Sequence, residues 1–194
     1  TRFGENISYY VITSFILVYV TQALDLPESV GLNAVLIGSA IQFFAIPMFG
    51  ALSDKIGRRV VYAFGAIGMA VWIFVFFTLL ETKSPMLIII ATTVALLMHA
   101  AMYGPQAAFF SELFGTRVRY SGASIGYQLA SILAGGLAPL IATALLSGYG
   151  SFVPIAIYVG LGSLLTVIAL FAAKETRGTS LVDGAEEPEP QATA

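Results

Sequence analysis

The sequence predicts an all-α membrane protein of six transmembrane helices. Three observations predict it: a composition too apolar for water, apolar runs of membrane-spanning length, and cations gathered on one side of the spans. The chain of 194 residues is 58% hydrophobic and 10% charged, whereas soluble domains are roughly a quarter charged. Its mean hydropathy is +0.88. A soluble fold of this size must turn much of its surface to water, so a lipid bilayer is the expected solvent and partner. That argues against a soluble enzyme. With 9 Lys and Arg against 11 Asp and Glu, no basic field exists to hold phosphates, and no nucleic-acid partner is expected. The absence of Cys excludes disulfide frameworks, Cys-bound zinc, iron–sulfur clusters and thiol nucleophiles.

A helix crosses the apolar slab in about 20 residues. Runs of that kind occupy 7–24, 30–52, 60–80, 86–110, 123–146 and 152–173. They are too long and too uniformly apolar for the alternating strands, about ten residues each, of a membrane barrel. Short polar stretches at 26–29, 53–59, 81–85, 111–122 and 147–151 separate them, which suits neighbouring antiparallel helices. Two regions result: a six-helix membrane body over 1–173 and an acidic tail over 174–194, where Asp183, Glu186, Glu187 and Glu189 sit among Pro, Ala and Gly. The tail is expected to be solvated and largely disordered.

Six spans put both termini on one side. Arg2, Lys55, Arg58, Arg59, Arg117, Arg119, Lys174 and Arg177 fall on that side, and Lys83 on the other. The excess of cations predicts that the termini and the second and fourth loops are cytoplasmic. No signal peptide is evident, since the first run opens with Glu5, Asn6, Ser8, Tyr9 and Tyr10, too polar for a secretory core. The lack of an initiator Met predicts that an amino-terminal portion is missing.

Polar groups inside the slab are costly, so their placement is informative. In the first run Glu5, Tyr9 and Thr13, with Asn6, Tyr10 and Ser14 beside them, form one polar wedge. It faces a cavity or a partner helix, or its tyrosines belong to an interfacial aromatic belt. In the fourth run His99, Tyr103 and Gln106 share one face. His99 is the sole His and lies halfway along its run, as a ligand or proton site or as a hydrogen-bonded packing residue. No His or acidic cluster accompanies it, so no metal is expected. Gln42 in the second run and Tyr127 with Gln128 in the fifth complete the interior set. The interior polar set is thus Asn6, Tyr9, Tyr10, Gln42, His99, Tyr103, Gln106, Tyr127 and Gln128; Gln42, Tyr127 and Gln128 are each alone more often helix–helix glue. Glu5 and His99 are the two groups within the slab able to carry a proton.

Pro47, Pro105, Pro139 and Pro154 punctuate the helical patterns, and an interior Pro frees a carbonyl one turn earlier. Gly104-Pro105, between Tyr103 and Gln106, marks a bending point under the polar face. In the fifth run Gly122, Gly126, Ala130, Ala134 and Ala138 recur every fourth residue, a small-residue stripe that lets helix backbones approach closely.

The second cytoplasmic loop reads GALSDKIGRR at 50–59. Gly50 and Gly57 permit a tight helix–helix turn. Asp54 suits a helix start, and Arg58 and Arg59 suit carboxylates on adjoining loops. This string resembles the G-x-x-x-D-[RK]-x-G-R-[RK] signature of the major facilitator superfamily. SELFGTRVRYSG at 111–122 resembles the segment before the eleventh helix of that superfamily's sugar porters and metabolite:proton symporters, with Gly115 in place of the usual Pro. KETRG at 174–178 resembles its P-E-T-K-G tail signature, and RFGENISYY at 2–10 resembles the opening of the seventh helix in the metabolite:proton symporter branch.

The resemblance covers 2–181 and implies that the six spans are helices seven to twelve of a twelve-helix transporter. The implied partner is the missing amino-terminal six-helix half, which in that branch holds the main coupling and acid-binding charges. The implied function is transport of a small molecule such as an organic acid, a shikimate-like compound, proline or betaine. It would proceed by alternating access with protons as the coupling ion and no other cofactor. The interior polar set would include the substrate-facing residues, and Asp54, Arg58, Arg59, Glu112, Arg117, Arg119 and Glu175 would form a cytoplasmic gate. A sugar or drug carrier half shares the loop motifs, and a non-transporting membrane scaffold shares the composition. An intramembrane enzyme is not expected, because His99 has no nucleophile or acidic pair beside it in the sequence.

Overall fold

The computed structural model describes residues 2–113, 128 and 131–172, and among them every regular element is helical. α1 runs over Arg2–Ala23, α2 over Glu28–Ile56, α3 over Arg58–Glu81 and α4 over Pro85–Leu113. α5 covers Ala138–Tyr149 and α6 Val153–Ala172. α1, α2, α3, α4 and α6 are each long and apolar enough to cross a membrane. α5 is shorter and is entered through a π-helical turn over Ser131–Gly136. Of the fifth expected run, residues 123–127, 129 and 130 lie outside the described residues, as do the acidic tail and most of the fourth loop.

Local chemistry sets the boundaries. α2 starts after Pro27, held extended at ψ 140°, and carries Glu28 in its first turn, where the helix dipole favours negative charge. It ends at Gly57, whose φ of 114° and ψ of 140° suit glycine alone. That one residue separates α2 from α3. α4 opens on Pro85, at a position where a missing N–H costs nothing. Pro139 was expected to interrupt a helix; it stands instead in the first turn of α5. Pro47 and Pro105 do lie inside continuous helices.

α2 packs on α4, α4 on α3, α3 on α6 and α6 on α1, and α1 closes the bundle against α4 and the 131–136 turn. α1 is the most enclosed element, burying Ile7, Val11, Ile12, Phe15, Ile16 and Tyr19. Opposite stand Tyr62, Met69, Ile73, Phe76 and Phe77 of α3. Lipid is as apolar as these side chains, so close packing and interhelical hydrogen bonds must hold the bundle. Gly4 N–H donates to Thr166 Oγ1 at 3.1 Å, Trp72 Nε1 donates to the Ala91 carbonyl at 3.1 Å, and Tyr19 OH donates to Glu81. At Gly104 the backbones of α2 and α4 come so close that a Cβ would meet the Ile46 carbonyl at 2.7 Å. The bending point read from Gly104-Pro105 is thus also a contact point.

α1 begins earlier than the apolar run at 7–24 indicated. Arg2 and Glu5 belong to the helix and are buried. Arg2 bonds Gln106, which lies about two turns short of the end of α4. Arg2, counted above among the cations that mark one side of the spans, is therefore also a cation inside the bundle.

Candidate functional site

The polar residues of α1, α2 and α4 converge on one cavity of about 320 Å³. His99 is the fifteenth residue of the 29 in α4, and Gln42 the fifteenth of the 29 in α2, so both stand at helix midpoints. Gln42 Nε2 meets His99 Nδ1 at 2.6 Å, and His99 Nε2 meets Glu5 Oε1 at 2.7 Å. With the Gln42 amide donating, Nδ1 accepts and the ring proton sits on Nε2, pointing at the Glu5 carboxylate. The Glu5 side chain is 3% exposed and that of His99 4%. An isolated buried charge costs several kcal/mol, and here the carboxylate is met by donors on both oxygens.

The second oxygen faces Gln106. Gln106 Nε2 donates to Glu5 Oε2 at 3.2 Å and to Tyr62 OH at 3.1 Å. Its carbonyl accepts from Arg2 Nη1 at 3.0 Å, and Arg2 Nη2 donates to Ser131 Oγ at 3.2 Å. A hydrogen-bonded line therefore runs Gln42–His99–Glu5–Gln106–Arg2–Ser131 through four separate segments. Two tyrosines flank the imidazole: the Tyr9 ring lies 4.8 Å from it, and the Tyr103 ring stacks on it at 5.6 Å and 22°. Both remain over a third exposed, at the open side of the cavity. Such a cavity can hold a small polar solute, hydrogen-bond it from several sides and exchange a proton with it.

Asn6, Tyr9, Tyr10, Gln42, His99 and Tyr103 all line the cavity. Asn6 also donates to the Arg2 carbonyl at 3.2 Å. Gln106 stands one layer behind, 2% exposed. Gln128 is exposed and is not among the residues lining this cavity. Tyr127 lies outside the described residues. Arg2, Ser131 and Ile46 line the cavity and Tyr62 supports it, although the sequence reading singled out none of them for it. The one available signal was the spacing of Arg2 from Glu5 and Asn6, which places it on the wedge face one turn earlier.

At the α2–α3 junction Asp54 pairs with Arg58. Arg58 Nη1 also donates to Ser53 Oγ at 2.9 Å, and Ser53 donates to the Gly50 carbonyl at 2.7 Å. Arg59 Nη2 donates to the Phe171 carbonyl of α6 at 3.3 Å, with its guanidinium 5.9 Å from the Phe171 ring centre. The side chain of Glu112, with Arg117, Arg119 and Glu175, lies outside the described residues.

Comparison with known proteins places this bundle among relatives. Residues 2–193 match the family model of the Major Facilitator Superfamily. The chain is 35% identical over 178 residues to a shikimate transporter of Escherichia coli, an alignment covering 91% of this chain and 41% of that protein. It is 34% identical to a putative metabolite transport protein of Haemophilus influenzae, covering 90% of this chain and 42% of the other. A putative proline/betaine transporter of Staphylococcus aureus is 25% identical over 91% of this chain and 38% of its own length. The chain thus spans about two-fifths of the length of these relatives. All three are named for transport, and the helices are those of a multi-pass membrane protein. On the family match and the helical bundle together, this chain belongs to the major facilitator superfamily.

Proposed function

We propose that this chain is the carboxy-terminal six-helix half of a secondary transporter that carries a small carboxylated metabolite by alternating access with proton symport. The single observation that carries the reading is the buried Glu5–His99 pair, at the midpoint of α4 and on the wall of a polar cavity. Ionisable residues at that depth are expensive and mark ion or substrate pathways. The coverage of about two-fifths of each relative supports a second half as partner, completing the cavity opposite Tyr9 and Tyr103. The relatives named for shikimate and for proline or betaine support a small acid or zwitterion over a sugar or a drug.

In this reading residues 1–173 form the membrane half and 174–194 a cytoplasmic tail, with both termini on the cytoplasmic side of the cell (inner) membrane. Asp54, Arg58 and Arg59 belong to a cytoplasmic gate, completed by Glu112, Arg117, Arg119 and Glu175. Alternating access requires those contacts to differ between states. Glu5 and His99 share the coupling proton, and no other cofactor takes part.

Uptake into proteoliposomes containing the complete twelve-helix protein tests the reading. An inward proton gradient is expected to drive accumulation of labelled shikimate, and a protonophore to abolish it. Glu5→Gln is expected to remove accumulation while leaving exchange of bound substrate. Accumulation of sugars in preference to acids, or accumulation indifferent to the gradient, overturns it. Liposomes holding this half alone are expected to show no substrate-specific uptake.

A further inference from the structure

The polar cavity is lined from α1, α2, α4 and the 131–136 turn, and among the described residues α3 and α6 contribute none to it. These two helices pack on each other, and along their outer seam they bound a second, open groove of about 440 Å³. We propose that this groove binds one anionic phospholipid, with an acyl chain lying between α3 and α6 and the phosphate held by Arg59. The site goes beyond the transporter reading: it uses the membrane topology given there and neither the substrate nor the proton.

The groove is a trough with a cation at one end. Arg59, Ala63 and Ile67 follow one turn apart on a single face of α3, Phe64 stands beside them, and Leu170 and Phe171 of α6 face them. From Arg59 to Ile67 the trough is about 12 Å long, most of the roughly 15 Å of hydrocarbon in one leaflet. Leu170 is buried and forms its floor, whereas Phe64 and Phe171 are more than half exposed and form its rims. Arg59 reaches across the mouth. Its Nη2 donates to the Phe171 carbonyl at 3.3 Å, and its guanidinium lies 5.9 Å from the Phe171 ring centre, so a side chain of α3 bridges to α6. A guanidinium carries five N–H donors, enough to hold a carbonyl and a phosphate oxygen together, and the phosphate is a charge-assisted partner.

Charge and position choose the occupant. Residues 50–60 hold three cations, Lys55, Arg58 and Arg59, against the single carboxylate of Asp54. In the topology proposed above, this end lies in the cytoplasmic leaflet, where anionic lipids give the membrane a negative surface and basic pockets between helices take their headgroups. The partner half completes the cavity of α1, α2 and α4, which leaves the α3–α6 seam turned to the bilayer. A neutral lipid fits the trough but not the cation at its mouth. Free phosphate fits the cation but not the trough. An anionic phospholipid matches both.

Fluorescence quenching in nanodiscs tests this on the complete protein, cleared of Cys and carrying a bimane label through Val71→Cys. Val71 lies one turn beyond Ile67 on the same face of α3 and is 65% exposed, so the label reports on the trough without filling it. Phosphatidylglycerol or phosphatidylcholine, brominated on an acyl chain, is titrated into a phosphatidylcholine bilayer. Brominated phosphatidylglycerol is expected to reach half-quenching at about a fivefold lower mole fraction, the advantage given by one cation near the surface. Arg59→Gln is expected to bring the two curves together, and Arg59→Lys to keep most of the preference. Ala63→Phe fills the trough and is expected to remove the preference with Arg59 still in place. The two sites are changed separately, so a folding defect in one variant, seen in a thermal melt, leaves the other to decide. Equal quenching by the two lipids in the labelled protein, or a preference unmoved by Arg59→Gln, overturns headgroup recognition. A preference unmoved by Ala63→Phe overturns the trough as its seat. Quenching by neither lipid means that a second copy or another protein covers this face, and overturns the proposal. Shikimate accumulation by the same protein tests the transporter reading separately, so either can fail alone.

Discussion

His99 has a protein partner on each ring nitrogen, and that pairing explains why a polar ring tolerates the middle of a membrane helix. Replacing His99 by Phe keeps the ring volume and stacking with Tyr9 and Tyr103 but leaves Gln42 Nε2 and Glu5 Oε1 without this partner. Each stranded buried group costs about 1–3 kcal/mol, so thermal unfolding in detergent is expected to show a clear loss. Gln42→Leu removes one neutral hydrogen bond and is expected to cost about 1 kcal/mol. A smaller loss for His99→Phe than for Gln42→Leu would show that the ring is held by packing instead. The members of this line were individually legible, because Glu5, Gln42, His99 and Gln106 stand out in apolar runs. Their meeting was not, since it depends on how α1 crosses α4. The inward bond of Arg2 was not legible for a related reason: a span begun at the first apolar residue leaves the preceding turn outside it, and a cation there is counted only as an orienting charge.

Gly104 lets the backbones of α2 and α4 touch on one side of the Gln42–His99 pair, as Gly38 against Thr93 and Leu96 does on the other. Gly104→Leu is expected to force the pair apart, costing about 1–3 kcal/mol from overpacking. It should weaken substrate binding through Gln42 and His99, without removing any cavity side chain. Isothermal titration beside a thermal melt separates these two effects; unchanged affinity with a lower melting temperature would confine Gly104 to stability. At the C-terminal end of α2, Gly57→Ala places a Cβ on a residue with φ 114°, a strain of about 1–3 kcal/mol. Five of the expected runs match helices closely, because apolar length alone identifies a span. The fifth run was harder to read. Its glycines and Pro139 look like interruptions of a single helix. Among the described residues the chain makes a π-helical turn over Ser131–Gly136 and restarts at Ala138, which gives Pro139 the first-turn place where it needs no N–H. That turn also presents Ser131 to Arg2, which a continuous 3.6-residue pattern could not foretell.

At the scale of the whole molecule, α2 shows how two environments share one helix. Gln42 and Ile46 line the cavity, one turn apart on the same face. Phe44 lies about 200° around the helix from Gln42 and is 74% exposed, as Leu36 is 71% exposed. Composition alone cannot tell these faces apart, because an apolar residue turned to lipid and one turned to a protein partner look alike in a sequence. The absence of Cys from this chain gives a direct test once the remaining half of the complete protein is also cleared of Cys. Single cysteines at Ile46 and Phe44 then report water access without background from either half. A charged, membrane-impermeant thiol reagent is expected to modify Cys at position 46, where the thiol opens onto the polar cavity, and to spare Cys at position 44, where lipid keeps the thiol protonated and the reagent out. Saturating substrate should slow the reaction at 46, because the ligand and the reagent compete for the same space. Labelling at 44 in preference to 46 would mean that α2 presents its other face to water, and the polar line from Gln42 to Ser131 would then bound no aqueous path at all.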